Sequence, residues 1–310
     1  MGRADELRAE LDPDQLRAAL ERLPAPRAAG SPGAAAAVQL IRQEFRTHGW
    51  DIEVDEFRAP IPGLRGTNVV AVREGTSPEA VVVVAHHDTV PGTGGADDNG
   101  SGVIALLALA GLLAGTRCRA SIVLAAVDHE ELGFLGSRRL VERLGRPVLG
   151  AIVFEMLAYT DPEPGSQHLP PGAGLLYPRQ VRRIARWGRR GDFTAVLHRR
   201  SSARLARTFA DALAQVAGEP AAVLLRAPTD LPVVGPLLGR LVPFARDFGR
   251  SDHVPFWEAG LPAVQITDTA DFRNPHYHRP GDRPETLDYD RLVDVIAATA
   301  LTVEALAVRH

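Results

Sequence analysis

Apolar residues fall along this chain in short uninterrupted runs, separated by longer stretches with a helical period. Val81–Ala85, Ser121–Val127, Ala151–Phe154 and Pro262–Thr267 are such runs, the pattern of strands buried on both faces. Ser101–Leu113 is apolar nearly all round, which predicts a buried helix, and Gly133–Leu144 predicts another. Asp12-Pro13 predicts a capped helix start, with Leu16, Ala19, Leu20 and Leu23 following at helical spacing. Residues 24–33 form a loop. The next helix carries Val38, Ile41 and Phe45 on one face and stops at Gly49. A closing helix presents Leu292, Val295, Ile296, Thr299, Val303 and Leu306. Strands alternating with helices predict an α/β fold with a parallel-rich sheet covered on both faces.

Two regions break this rhythm. Residues 160–178 are rich in Pro and Gly, and 179–204 hold nine arginines. Residues 226–249 mix Pro, Gly and apolar residues. The expectation is a single domain over 1–310 with lid-like loops at about 160–200 and 226–249, the arginines forming a solvated face.

Composition narrows the function. The 310 residues are 45% hydrophobic and 24% charged, ordinary for a globular chain. No stretch approaches the ~20 apolar residues of a membrane helix. The start, MGRADELRAELDPDQL, shows no signal-peptide pattern, so the expected location is cytoplasmic. Cys118 is the one cysteine, which excludes a disulfide scaffold or a cysteine-based zinc finger. A net charge of −3 makes no case for nucleic acid. All 35 basic residues are arginine, so Schiff-base and P-loop chemistry are excluded.

The chemistry-bearing residues cluster where the predicted strands end, the place where open α/β sheets bind ligands. Strand 81–85 runs into His86-His87-Asp88, and a Gly-rich turn then gives Gly95-Ala96-Asp97-Asp98-Asn99. Strand 121–127 ends in Asp128-His129-Glu130-Glu131, and strand 151–154 in Glu155. Imidazole and carboxylate without thiolate suit zinc and, less selectively, manganese or cobalt. Any one of these pieces is common. Their joint occurrence, each after an apolar strand, points to a metal site, and one carboxylate can bridge two metals in hydrolytic centres.

VVVVAHHDTV, GADDNGSG, DHEELGFLGS, RSDHVPFWEAGLPA and NPHYHRPGDRPETLD together resemble the co-catalytic di-zinc aminopeptidase family, whose relatives include glutaminyl cyclases and the glutamate carboxypeptidase group. The resemblance covers about residue 20 to the C-terminus. It implies a three-layer α/β/α sandwich with a mixed, largely parallel sheet, two zinc ions, and a peptide or small amide as substrate. It assigns His86 and Glu155 to the first zinc, Asp98 to the bridge, and Glu131 and His278 to the second zinc. Asp88 would orient His86, and Glu130 would be the general base. His278 is preferred over His276 because His278 and Asp282 keep the family's His-x-x-x-Asp spacing. Ser251-Asp252-His253 would border the site. His87 and His129 should point away from it.

Two positions depart from the pattern. The family usually has Asp where this chain has Glu155. Some members carry a tyrosine where this chain has Phe248, and others place one before the last histidine ligand, as Tyr277 stands here, which makes Tyr277 the candidate oxyanion donor. The resemblance implies an aminopeptidase. Glutaminyl cyclase and carboxypeptidase or amidohydrolase chemistry are the alternatives, and a non-catalytic binding protein ranks last because every ligand position holds a competent side chain. Leu231, Val233, Leu237, Leu238 and Leu241 are expected to help wall an apolar specificity pocket. The oligomeric state is left open.

Overall fold

The computed structural model describes residues 2–218, 222–231, 235, 237–238 and 242–308. Three helices open the chain: α1 (Arg3–Ala9), α2 (Pro13–Arg22) and α3 (Pro32–Thr47). Asp12 and Ser31 cap the latter two through their side chains, each followed by Pro at the first helical position, where the missing N–H costs nothing. The strands are β1 (Asp51–Arg58), β2 (Arg65–Arg73), β3 (Ala80–His86), β4 (Ser121–Val127), β5 (Val148–Phe154), β6 (Thr194–His198), β7 (Ala222–Arg226) and β8 (Ala263–Thr267). They form one mixed sheet in the order β1-β2-β4-β3-β5-β8-β6-β7. The central strands β4, β3, β5 and β8 run parallel, and β2 and β6 pair antiparallel with their inner neighbours.

Helices cover both faces. The remaining ones are α4 (Gly102–Leu112), α5 (Leu135–Arg143), α6 (Ala173–Leu176), α7 (Pro178–Arg186), α8 (Ala203–Ala217), α9 (His253–Glu258) and α10 (Tyr289–Ala307). On one face α1–α4, α8 and α10 bury a core of Ile41, Phe45, Leu106, Phe209 and Ile296 against Val81 and Val83 of β3. On the other, α5, α7 and α9 pack Leu140, Ile184 and Phe256 against Val82 and Val84. Consecutive valines thus serve opposite cores, as the two-residue strand period requires. The result is a three-layer α/β/α sandwich. Among the described residues no helix is long and apolar enough to cross a membrane.

Several elements differ from the sequence reading. Residues 194–198, placed in a lid-like loop, are the wholly buried strand β6. Its five residues are too few to stand out between flanking arginines. Helices α6 and α7 also fall in that stretch. Helix α7 covers the sheet edge: Tyr177, Gln180 and Arg183, at three-residue spacing, donate to the β7 carbonyls of Arg226, Leu224 and Ala222. The arginine-rich stretch therefore covers an edge that would otherwise invite strand pairing. Within 226–249, Val233 and Leu241 lie outside the described residues.

Candidate metal centre

Strand geometry places the first candidate ligands. β3 and β4 are in parallel register with His86 opposite Val127, so His86 and the segment that follows β4 emerge at the same sheet edge. Glu155 directly follows β5, and its N–H donates to Ile266 of β8. Asp98 comes from the turn between β3 and α4. That turn folds tightly because Gly94 has no side chain: a Cβ there would lie 1.9 Å from the Asp282 carbonyl oxygen. The Asp282 carboxylate then accepts from the N–H groups of Asp97 at 2.8 Å and Asp98 at 3.1 Å.

The predicted ligands form two groups that share Asp98. His86 Nε2 lies 3.5 Å from Asp98 Oδ1 and 3.5 Å from Glu155 Oε2. His278 Nε2 lies 3.1 Å from Asp98 Oδ2 and 3.7 Å from Glu131 Oε1. Each oxygen of Asp98 therefore faces a different histidine. His276 lies outside these groups, edge-on to Tyr159. His87 turns away to the Thr67 carbonyl oxygen, and His129 lies beside Asp128 and the Phe57 ring.

The donor set fits a cation. His86 Nε2 is buried with no hydrogen-bond partner, although two carboxylates face it. Its Nδ1 lies 3.2 Å from the Asp88 carbonyl oxygen and 3.5 Å from Asp88 Oδ1. That places the ring proton on Nδ1 and leaves Nε2 bare, the form a metal takes. Among the described residues no arginine pairs with Asp98, Glu130, Glu131 or Glu155. Buried carboxylates without a counter-charge need a cation or a proton.

The electrostatics show the same tension. Burial pushes the Glu130 carboxyl well above the ordinary glutamate range; His86 opposes this, and Glu155, Asp252 and Glu131 add to it. Burial, then Asp98, raises Glu131 to about 8. Burial raises Asp252 to about 7, against the pull of His86. Asp282 rises to about 7, first through burial and then through Asp97.

Asp88 does more than orient a ring. Its carboxylate accepts from the N–H groups of Glu130 at 3.1 Å and Glu131 at 3.2 Å, so it fixes the segment that carries both. Ser251 donates to Glu155 Oε2 at 2.7 Å, and Ser137 donates to Asp252 at 2.5 Å. Tyr277 stacks on His278 with ring centroids 3.8 Å apart. Its hydroxyl accepts from Arg250 at 3.0 Å.

Sequence reasoning missed Arg27, Asn274 and Arg250. Arg27 is fully buried in a loop of Pro and Ala, donating to the carbonyls of Pro24, His87 and Gly95. Burial lowers it to about 10, despite Asp282, Asp88 and Asp98 nearby. It ties together the segment just past His86 and the turn that carries Asp98. An arginine among so many prolines and alanines was the available signal. Asn274 joins Asp97 to the backbone of His276 and so holds the loop that carries His278. Arg250 was quoted in its motif but given no role.

A sequence profile of peptidase family M28 matches residues 68–211 and 237–303, more than half of the chain. The chain belongs to peptidase family M28. An uncharacterized protein of Escherichia coli (strain K12), YfbL, is 32% identical over 272 residues, covering 83% of this chain and 76% of that protein. Aminopeptidase YwaD of Bacillus subtilis (strain 168) is 36% identical over 85 residues, which is 26% of this chain and 19% of YwaD. Among solved structures, the aminopeptidase from Aneurinibacillus sp. strain AM-1 has a TM-score of 0.73 at 15% identity, covering 98% of this chain and 96% of that one. A Fimbriiglobus ruber glutaminyl cyclase has a TM-score of 0.65 at 20% identity, with 95% of each chain covered. At these identities the structural likeness bears on the fold of this M28 member.

Proposed function

We propose that this M28 chain is a two-zinc aminopeptidase. The observation that carries the reading is Asp98, whose two carboxylate oxygens face separate histidine–carboxylate sets. His86, Asp98 and Glu155 would hold one zinc, and Asp98, Glu131 and His278 the other. Zinc bound there would supply Lewis-acid polarisation of the peptide carbonyl and a lowered pKa for the attacking water.

The chain's own groups do the rest. Glu130, held by Asp88 through its backbone, takes a proton from the water and returns it to the leaving amine. Arg250 occupies an acceptor position on the Tyr277 hydroxyl, so the phenol's hydrogen is free to donate to the developing oxyanion. The carboxylates around the cleft attract the free α-ammonium group of a peptide, which restricts attack to the first peptide bond. Beyond Glu155 the cleft continues into a cavity lined by Leu197, Leu225, Phe244 and Phe248, which suits an apolar first side chain. The expected wall of leucines differs: Leu231, Leu237 and Leu238 do not line this cavity among the described residues, and Leu237 is 54% exposed. The segment contributes Phe244 and Phe248 instead.

The test is a panel of aminoacyl, N-acetylated and N-terminal glutaminyl substrates, with chelator and with zinc restored. The reading predicts hydrolysis of free-amine substrates only, lost on chelation and regained with zinc. Cyclisation of the glutaminyl peptide without hydrolysis of the others would replace it with the cyclase reading.

A further inference from the structure

Glu155, Arg250 and Tyr277 line both the metal cleft and the cavity beyond it. A substrate whose scissile bond lies at the metal ligands would therefore place its first side chain in that cavity. Phe244, Phe248 and Phe272 form its walls, and Ala195 and Leu197 of β6 part of its lining. Gln265 interrupts this apolar surface. It stands mid-strand in β8, between Val264 and Ile266, which both pack into the opposite core. Strand alternation therefore turns Gln265 toward the cavity. The residue is 6% exposed, and Oε1 has no hydrogen-bond partner among the described residues. The nearby Thr267 hydroxyl already accepts from the Thr269 N–H at 3.0 Å. A buried, unpaired carbonyl weakens a fold.

We propose that Gln265 determines specificity, and that the side chain it selects is the phenol of an N-terminal tyrosine. This deepens the aminopeptidase reading and rests on it. Ring walls favour an aromatic guest through edge-to-face contacts. A phenol carries its hydroxyl at the far tip of the ring, where it can meet the Gln265 amide in the cavity lining and donate to Oε1 once the amide turns that oxygen toward it. Phenylalanine or leucine would fill the same space but cover the carbonyl without pairing it, and a site with a buried polar group rejects such analogues. Asp247 and Asp271 stand at the cavity with Arg250 between them, at 3.5 and 3.4 Å. Two carboxylates against one guanidinium leave a net negative charge that disfavours acidic side chains. A lysine or arginine guest would have to lose hydration among phenylalanine rings.

The experiment compares kcat/KM for tyrosyl, phenylalanyl, leucyl and glutamyl p-nitroanilides with zinc-loaded protein. The readout is the tyrosyl-to-phenylalanyl ratio, which does not depend on the fraction of active protein. Wild type should give a ratio of about tenfold or more, the size of one well-made hydrogen bond to a buried partner. Gln265→Leu should bring the ratio to about one, and the near-isosteric Gln265→Met should do the same if the leucine variant folds poorly. A wild-type ratio of one or less, or a ratio unchanged in both variants, would overturn the proposal while leaving the aminopeptidase reading in place. No turnover of any aminoacyl substrate would remove that reading, and this inference with it.

Discussion

His86 and His278 face opposite oxygens of Asp98, yet the two halves of the centre are built differently. The His86 half stands on strand ends, and its imidazole is 1% exposed. Its position is set by β3 and β5, the two middle strands of the sheet. The His278 half sits on a loop, and its imidazole is 35% exposed. That loop is held by side chains instead of by a ladder: Asn274 bonds Asp97, and Asp282 bonds the N–H groups of Asp97 and Asp98. One half is rigid because the fold is rigid. The other is rigid only as far as a few polar contacts make it so, and it is open to solvent where a substrate must enter. With zinc in both halves, as proposed, the centre should keep its buried metal longer than its exposed one.

The largest effect expected is on turnover, between the halves. Glu130→Gln removes the proposed proton acceptor but no proposed ligand, so it should retain zinc and lose ~10²–10⁴-fold in kcat. Near-normal kcat would take Glu130 out of the mechanism. Metal content comes next and bears on the comparison itself. His278→Ala should keep the buried zinc, His86→Ala should weaken it, and Asp98→Ala should hold less zinc than either. In wild type, a chelator titration followed by metal analysis should be biphasic, the exposed site emptying first. Simultaneous loss of both metals would erase the distinction between the halves.

A smaller effect is expected on stability. In the metal-free protein Glu131 titrates near 8, and Asp252 and Asp282 near 7, all above the ~4 of an unfolded carboxyl. The folded chain holds these protons more tightly. Their contribution is fully present below pH ~4 and is lost as pH rises toward 8. With chelator present, Tm should fall between pH 5 and 8, and added zinc should recover more over the same interval because it competes with protons for Glu131 and the other proposed ligands. A Tm that is flat or rising across that interval would contradict the charge distribution described here. The smallest effect is expected at Glu155→Asp. It shortens a proposed ligand by one methylene on the rigid side, so it should change metal preference more than activity, as read by kcat with zinc, manganese and cobalt.

The rigid half was also the legible half. Val81–Ala85 and Ser121–Val127 announce themselves as buried strands, and whatever follows such a strand stands at a sheet end, so His86, Glu130 and Glu155 could be placed from pattern alone. His278 could be named only through family resemblance, because no periodicity locates a loop residue. The clamp that holds it was invisible for the same reason: the bonds from Asn274 and Asp282 to residues 97 and 98 span more than 170 positions. Outer strands were lost too. β1 is mostly exposed, with Asp55 its one buried residue, and β6 hides between arginines, so neither gives the uninterrupted apolar signal of the centre. Arg27 illustrates a third limit, since a buried arginine satisfied by backbone carbonyls leaves no acidic partner to find in the sequence.

The claim on which the rest depends is that Asp98 joins two metal sites. Anomalous diffraction at the zinc edge from crystals of the zinc-loaded protein tests it directly. The account predicts two peaks ~3.5–4 Å apart, one beside His86 and Glu155, the other beside Glu131 and His278, with one Asp98 oxygen toward each. A single peak, or two peaks with Asp98 bound to only one, would contradict it.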